Sequence, residues 1–98
     1  MRSLWGEKSG QVLVSSQEAC FGHSGAPLGN LGTALTLMMM REGEVCPTAN
    51  CTDPSPVCSF DPVPGTKTRA LEFDRALSFN YQVGGVNSAL LLGGGDAR

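Results

Sequence analysis

His23 is the only histidine in the chain, and it stands three residues after Cys20 in the segment Cys20-Phe21-Gly22-His23. A thiol and an imidazole at that spacing suit either a nucleophile and its base or two ligands of a metal ion. Each use needs further groups, and no second Cys/His pair follows at ligand spacing. Cys46, Cys51 and Cys58 bring the thiols to an even number, which suggests a disulfide framework only in an oxidising compartment. The opening MRSLWGEK has no apolar stretch to direct export, and Glu7 departs from the acid-poor character of an organellar transit peptide. The thiols are therefore read as free and the chain as intracellular, with cytoplasm and organelle interior not distinguished. The sequon Asn50-Cys51-Thr52 has meaning only in a secreted protein. There is no G-x-x-x-x-G-K phosphate loop and no Ser-His-Asp arrangement, so neither a cofactor nor a metal is expected. Taken by itself, His23 reads as a structural residue.

The composition narrows the classes further. A formal net charge of -2, with 16% charged residues and no Lys/Arg cluster, argues against a nucleic-acid binder, which must neutralise phosphates. At 41% hydrophobic the chain is too apolar for a disordered tail. Its longest nearly unbroken apolar run, Ala34 to Met40, is far short of the roughly 20 residues of a membrane span. With 98 residues there is at most one small domain, and a second chain to pack against would help it bury surface.

The elements that must position His23 follow from periodicity and punctuation. Leu4 and Trp5 suit the last turns of a helix ended by Ser9-Gly10. Val12, Leu13 and Val14 read as a short buried strand. From Pro27 to about Glu42 the spacing of Leu28, Leu31, Leu35, Met38 and Met39 predicts a helix, widened by Leu37 and Met40, with Pro27 at its start and Gly43 at its stop. This helix is apolar almost all round, and Gly29 and Gly32 admit close neighbours, so it belongs inside something larger than a chain of this length can build. Val45 to Gly65, rich in Pro, Asp and Ser, is an extended connection. Arg75 to Phe79 and Val86 to Leu92 are two strands of a hairpin around Gly84-Gly85. Domain 1–92 is thus followed by a Gly-rich flexible tail, 93–98.

The order of these features resembles the last part of the β-ketoacyl synthases, the condensing enzymes of fatty-acid and polyketide synthesis. In that family a strand ending in Ser-Ser leads through a Lys-containing turn and a Gly-His pair into a helix of small residues. The stretch VLVSSQEACFGHSGAPLGNLGTALTLMMMREG is similar. CPTANCTDPSPVC, continuing to SFDPVP, resembles the family's Pro-Thr-x-Asn and Asp-Pro-x-Pro segment. LSFNYQVGGVNSALLL resembles its closing hairpin, usually near NSFGFGGxNASL. The likeness is colinear over nearly the whole chain. It implies an α/β architecture, a partial thiolase-like fold: a C-terminal β-α-β-β portion with one buried helix, completed by another chain. Val12 to Ser15 is then expected beside the two hairpin strands in a single sheet.

Enzymes of this family use a cysteine nucleophile at a helix N-terminus and two histidines, which decarboxylate the extender unit and stabilise the enolate or thioester oxyanion. The resemblance places His23 at one histidine position and Val83, Gly84, Gly85 and Asn87 at the hairpin of the acyl pocket. None of the four cysteines matches the nucleophile, whose place in the family lies far upstream. Glu18 stands where the family usually carries lysine, which favours imidazolium at His23. Val83 stands where it carries an aromatic gate, with Gln82 for the preceding glycine. These departures lead to the expectation of a non-catalytic accessory or scaffold subunit of a larger complex. The alternative is the C-terminal part of a split synthase, or a chain-length-factor-like subunit, lending His23 to a partner that carries the cysteine and to an acyl carrier protein. A fragment of a longer synthase is a third reading, against which Met1 counts mildly.

Overall fold

The computed structural model describes residues 2–94. They fall into two compact units, one built from Met1–Gly22 and Val45–Arg69 and the other from His23–Glu44 and Ala70–Arg98. The chain passes between them at two short strands, β1 (Glu44–Val45) and β2 (Arg69–Ala70), which form a two-stranded sheet. Among the described residues no helix is long and apolar enough to cross a membrane.

The first unit holds α1 (Arg2–Trp5), a 3-10 helix over Gly6–Gln11, α2 (Glu18–Phe21) and the extended segment after Val45. That segment stays in place although it forms no regular element, because side chains satisfy its backbone. Thr48 donates its N–H to Val63 O at 2.9 Å and its hydroxyl to Pro62 O at 2.6 Å. Ser15 Oγ donates to Cys46 O at 2.6 Å. Val45 and Val63 form the small core of the unit, with Ser9 buried as well. Val63 has φ 52, a left-handed value that is rare for a β-branched residue. Val14 N–H donates to Asp61 O and Asp61 N–H to Val12 O, at 2.8 and 3.0 Å, giving a parallel bridge between Leu13 and Asp61. The stretch Val12 to Val14, expected as a short buried strand, is therefore a single bridge of half-buried residues, and its partner is Asp61. The expected place beside the hairpin is corrected: the backbone groups of Val12 and Val14 are taken by Asp61, and among the described residues the hairpin sheet holds β3 and β4 alone.

The second unit is α3 (Leu28–Glu42) with the hairpin of β3 (Arg75–Tyr81) and β4 (Asn87–Gly93). Helix α3 starts after Pro27, whose fixed φ suits a first turn. It stops at Gly43, where φ 69 lets the Gly43 N–H turn back to Met39 O. The strands pair antiparallel from Arg75 opposite Gly93 to Tyr81 opposite Asn87. Between them Gln82 N–H donates to Val86 O at 2.8 Å, and Gly84 and Gly85 take φ values of 102° and 90° that side-chain-bearing residues avoid. Gly93 closes β4 and the Gly94 N–H donates to Asp74 O at 2.8 Å, so the first two residues of the Gly-rich end are part of the hairpin base. The remainder of the expected tail, 95–98, lies outside the described residues.

Helix α3 lies against β3 with a stripe of small residues. A Cβ on Gly29 would stand 3.4 Å from the Asn80 side chain, and Thr33 Oγ1 donates to Ser78 Oγ at 3.5 Å. One turn from the helix end, Met40 is buried, and a Cβ on Gly94 would lie 3.6 Å from its Sδ. The rest of the helix is not enclosed: Leu31, Leu37 and Met38 are exposed, Met38 by 59%. The helix expected to be buried is thus buried only at Met40 among its described residues, and within its own unit the hairpin covers one side of it.

Candidate functional site

The segment that carries His23 is shaped by two glycines. Gly22 ends α2 with φ 79, its N–H donating to Glu18 O at 2.8 Å. Gly25, at φ 73, makes the turn whose carbonyl accepts from the Leu28 N–H at 3.1 Å. His23 lies between them, exposed, on the approach to the N-terminal end of α3. That end carries the positive pole of the helix dipole, which favours anionic charge nearby.

The hairpin turn sits at the same end of the unit. Gly29, in the first turn of α3, faces Asn80, two residues before Gln82 opens the turn, whereas Met40, near the last turn, meets Gly94 and the Asp74 region at the hairpin base. Helix and β3 therefore run antiparallel. The span agrees: about 16 Å along the helix from Gly29 to Met40, at 1.5 Å per residue, against about 20 Å along the strand from Asp74 to Asn80. Two features 60 residues apart in sequence, the Gly-His approach and the Gly-Gly turn, are brought to one end by this pairing. Val83 is fully exposed at the tip of the turn, and Asn87 is the first residue of β4, opposite Tyr81.

The other sequence candidates do not gather. The four cysteines form no disulfide with one another, Cys20 is exposed on α2, and Cys58 donates its Sγ to Phe60 O at 3.4 Å. Among the described residues no group of three or more His, Cys, Asp or Glu could hold a metal ion. Glu18 opens α2 in the first unit, and His23 is the first residue of the second. A hollow of about 360 Å³, lined by residues 40–43 and 72–74, lies at the opposite end of the second unit from the Gly-Gly turn. It is formed largely by Arg41, Glu42, Glu72 and Asp74 and has the character of a solvated notch.

One residue carries more than the sequence reading assigned to it. Asp61 accepts from the Val63 N–H at 2.9 Å and from the Arg69 guanidinium while its backbone pairs with Val12 and Val14. The Arg69 hydrogen bond holds the carboxyl below its ordinary value of 3.8, helped by the Val63 N–H and opposed by burial. Its work is to fasten the connecting segment. The signal for it was the Asp-Pro pair, which marks a turn but not the arginine eight residues on.

Comparison with known proteins gives a consistent result. The family model described as the β-ketoacyl synthase C-terminal domain matches residues 1–52. The chain is 38% identical over 90 residues to 3-oxoacyl-[acyl-carrier-protein] synthase 2 of Synechocystis, covering 92% of this chain and 21% of that protein. It is 37% identical over 91 residues to the tetracenomycin polyketide synthase ketoacyl synthase alpha subunit of Streptomyces glaucescens, covering 93% of this chain and 21% of the relative. The granaticin polyketide putative β-ketoacyl synthase 1 of Streptomyces violaceoruber is also 37% identical, over the same shares of the two chains. The chain thus spans about a fifth of the length of the curated relatives it matches.

Proposed function

This chain belongs to the β-ketoacyl synthase family, through that family's C-terminal domain, and on that premise we propose that it supplies the His23 end of a condensing site whose nucleophilic cysteine lies on the upstream portion of such an enzyme. The reaction is the carbon–carbon condensation of fatty-acid or polyketide synthesis. In it the cysteine thiolate takes the acyl group from a carrier-protein thioester, releasing the carrier thiol. The malonyl thioester loses carbon dioxide, and the C–C electron pair becomes an enolate. The enolate carbon attacks the acyl-cysteine carbonyl, and the C–S bond breaks to return the thiolate. The role of His23 is to donate an imidazole N–H to the oxyanion that develops in the decarboxylation, where a fixed donor contributes on the order of 100- to 1,000-fold in rate. The partners are the cysteine-bearing portion and an acyl carrier protein. Cysteines not joined in disulfides suit the reducing interior of a cell.

The observation that carries this reading is the antiparallel packing of α3 on β3, which sets the His23 approach and the Gly84-Gly85 turn at one end of the second unit. A second reading, a non-catalytic accessory subunit, draws on Glu18 and Val83, which stand where the family's lysine and aromatic gate are expected. The test is product formation from acyl and malonyl carrier-protein substrates by a complex of this chain with the upstream portion of the Synechocystis relative. Loss of product with His23→Ala, at unchanged complex yield, supports the catalytic reading. Equal product with and without the imidazole supports the accessory one.

A further inference from the structure

Residues 52–60 stand out from the first unit as a loop held at both feet. At one foot Cys51 O accepts from the Gly65 N–H at 2.8 Å. At the other, Asp61 is paired through its backbone with Val12 and Val14. Between them Thr52, Asp53, Ser55, Pro56 and Val57 are exposed, Val57 by 86%. Prolines shape the loop. Pro56, whose fixed φ suits the first corner of a turn, opens a turn with Val57 that the Cys58 N–H closes by donating to Ser55 O at 3.0 Å. The same ring pushes Ser55, the residue before it, toward an extended backbone. Ser55 is the one serine or threonine of the chain that a proline follows. Its Oγ accepts from the Val57 N–H at 3.4 Å, a contact that uses a lone pair of the hydroxyl and not its proton. Other serines of the unit are placed differently: Ser9 is buried, Ser59 is half-buried, and the Ser15 hydroxyl donates to Cys46 O.

We propose that Ser55 is a phosphorylation site, and this chain a substrate, of a proline-directed serine/threonine kinase. A kinase of that class meets the acceptor hydroxyl on an extended, exposed segment and reads the ring at the next position, where any other residue would bring a backbone N–H. Ser55 Oγ attacks the γ-phosphorus of Mg-ATP, the bond from that phosphorus to the bridging oxygen breaks, ADP leaves, and the hydroxyl proton passes to the carboxylate base of the kinase. The phosphoryl group adds about -1.5 to -2 charge. It does so beside Asp53, the charged residue of 52–60, and the Val57 N–H that already points at Oγ is placed to donate to a phosphoryl oxygen. The inference is independent of the condensing reaction, since the loop and its feet belong to the first unit and His23 to the second.

The test is to incubate the full chain with a purified proline-directed kinase and Mg-ATP, separate the modified chain by anion exchange, and locate the phosphoryl group by tandem mass spectrometry. One phosphoryl group is expected, on Ser55, and none on the Ser55→Ala chain. Pro56→Ala should lower the initial rate about tenfold or more, the discrimination an apolar pocket shows when it loses ring carbons, while Ser59→Ala leaves the rate unchanged. The free peptide of residues 50–60 measures what the fold contributes, and the intact chain should react at least as fast as the peptide. The amides of Val14 and Thr48, which donate to Asp61 O and Val63 O, should exchange equally slowly before and after modification, because the feet of the loop stay in place. Phosphate on another serine, a rate indifferent to Pro56→Ala, a peptide that reacts while the intact chain does not, or modification that proceeds only as those amides open overturns the proposal.

Discussion

Asp61 is the residue whose charge state bears most directly on stability. Its carboxyl is held below 3.8 in the folded chain, so the Arg69 and Val63 hydrogen bonds stabilise the folded state fully above the unfolded value and are lost as pH falls through the folded one. We expect thermal stability of the first unit to be flat from neutrality to about pH 5 and to decline below about pH 4, near the ordinary carboxylate range. Asp61→Asn should flatten that acid decline and cost about 1 kcal/mol at neutral pH, since Arg69 is partly exposed and its ion pair is screened. Circular dichroism melts across pH check both.

At the scale of elements, the contact between α3 and β3 is the one that positions the candidate site. Gly29 has no room for a long side chain beside Asn80, so Gly29→Leu should overpack the seam, cost about 1–3 kcal/mol, and speed amide exchange in β3. Gly84→Val should cost about 1–3 kcal/mol through the φ of 102° and loosen the turn while leaving α3 intact. Hydrogen exchange resolved by peptide reads both. The helix and hairpin were legible in the sequence because their signals are local: apolar spacing with Pro27 and Gly43 at the ends of α3, and Gly84-Gly85 between two apolar runs. The partner of Val12 to Ser15 was not, because ladder pairing depends on which distant backbone groups are free. Asp61, inside a proline-rich segment with no strand pattern, supplies them. That the approach to α3 and the hairpin turn share one end of the second unit was not legible, since nothing in the spacing of residues 23 and 84 fixes the direction in which α3 crosses β3.

Among the described residues little is core: Met40, Val45 and Val63 are the buried apolar ones, against exposed Leu31, Leu37 and Met38 on the helix and Phe79, Tyr81 and Leu91 on the hairpin. Apolar surface of that extent seeks cover. The isolated chain should therefore self-associate with rising concentration and bind an apolar dye, and both effects should fall when the upstream portion of a β-ketoacyl synthase is added. Sedimentation velocity with and without that portion measures this, and a cooperative monomer at high concentration would speak against an incomplete fold. The central claim, that this chain lends His23 to a condensing site, is tested most directly by carbon dioxide release from a malonyl carrier protein in the assembled complex under single-turnover conditions. The account predicts that release requires the chain and falls about 100- to 1,000-fold with His23→Ala at equal complex concentration. Equal rates from wild type and His23→Ala would contradict it.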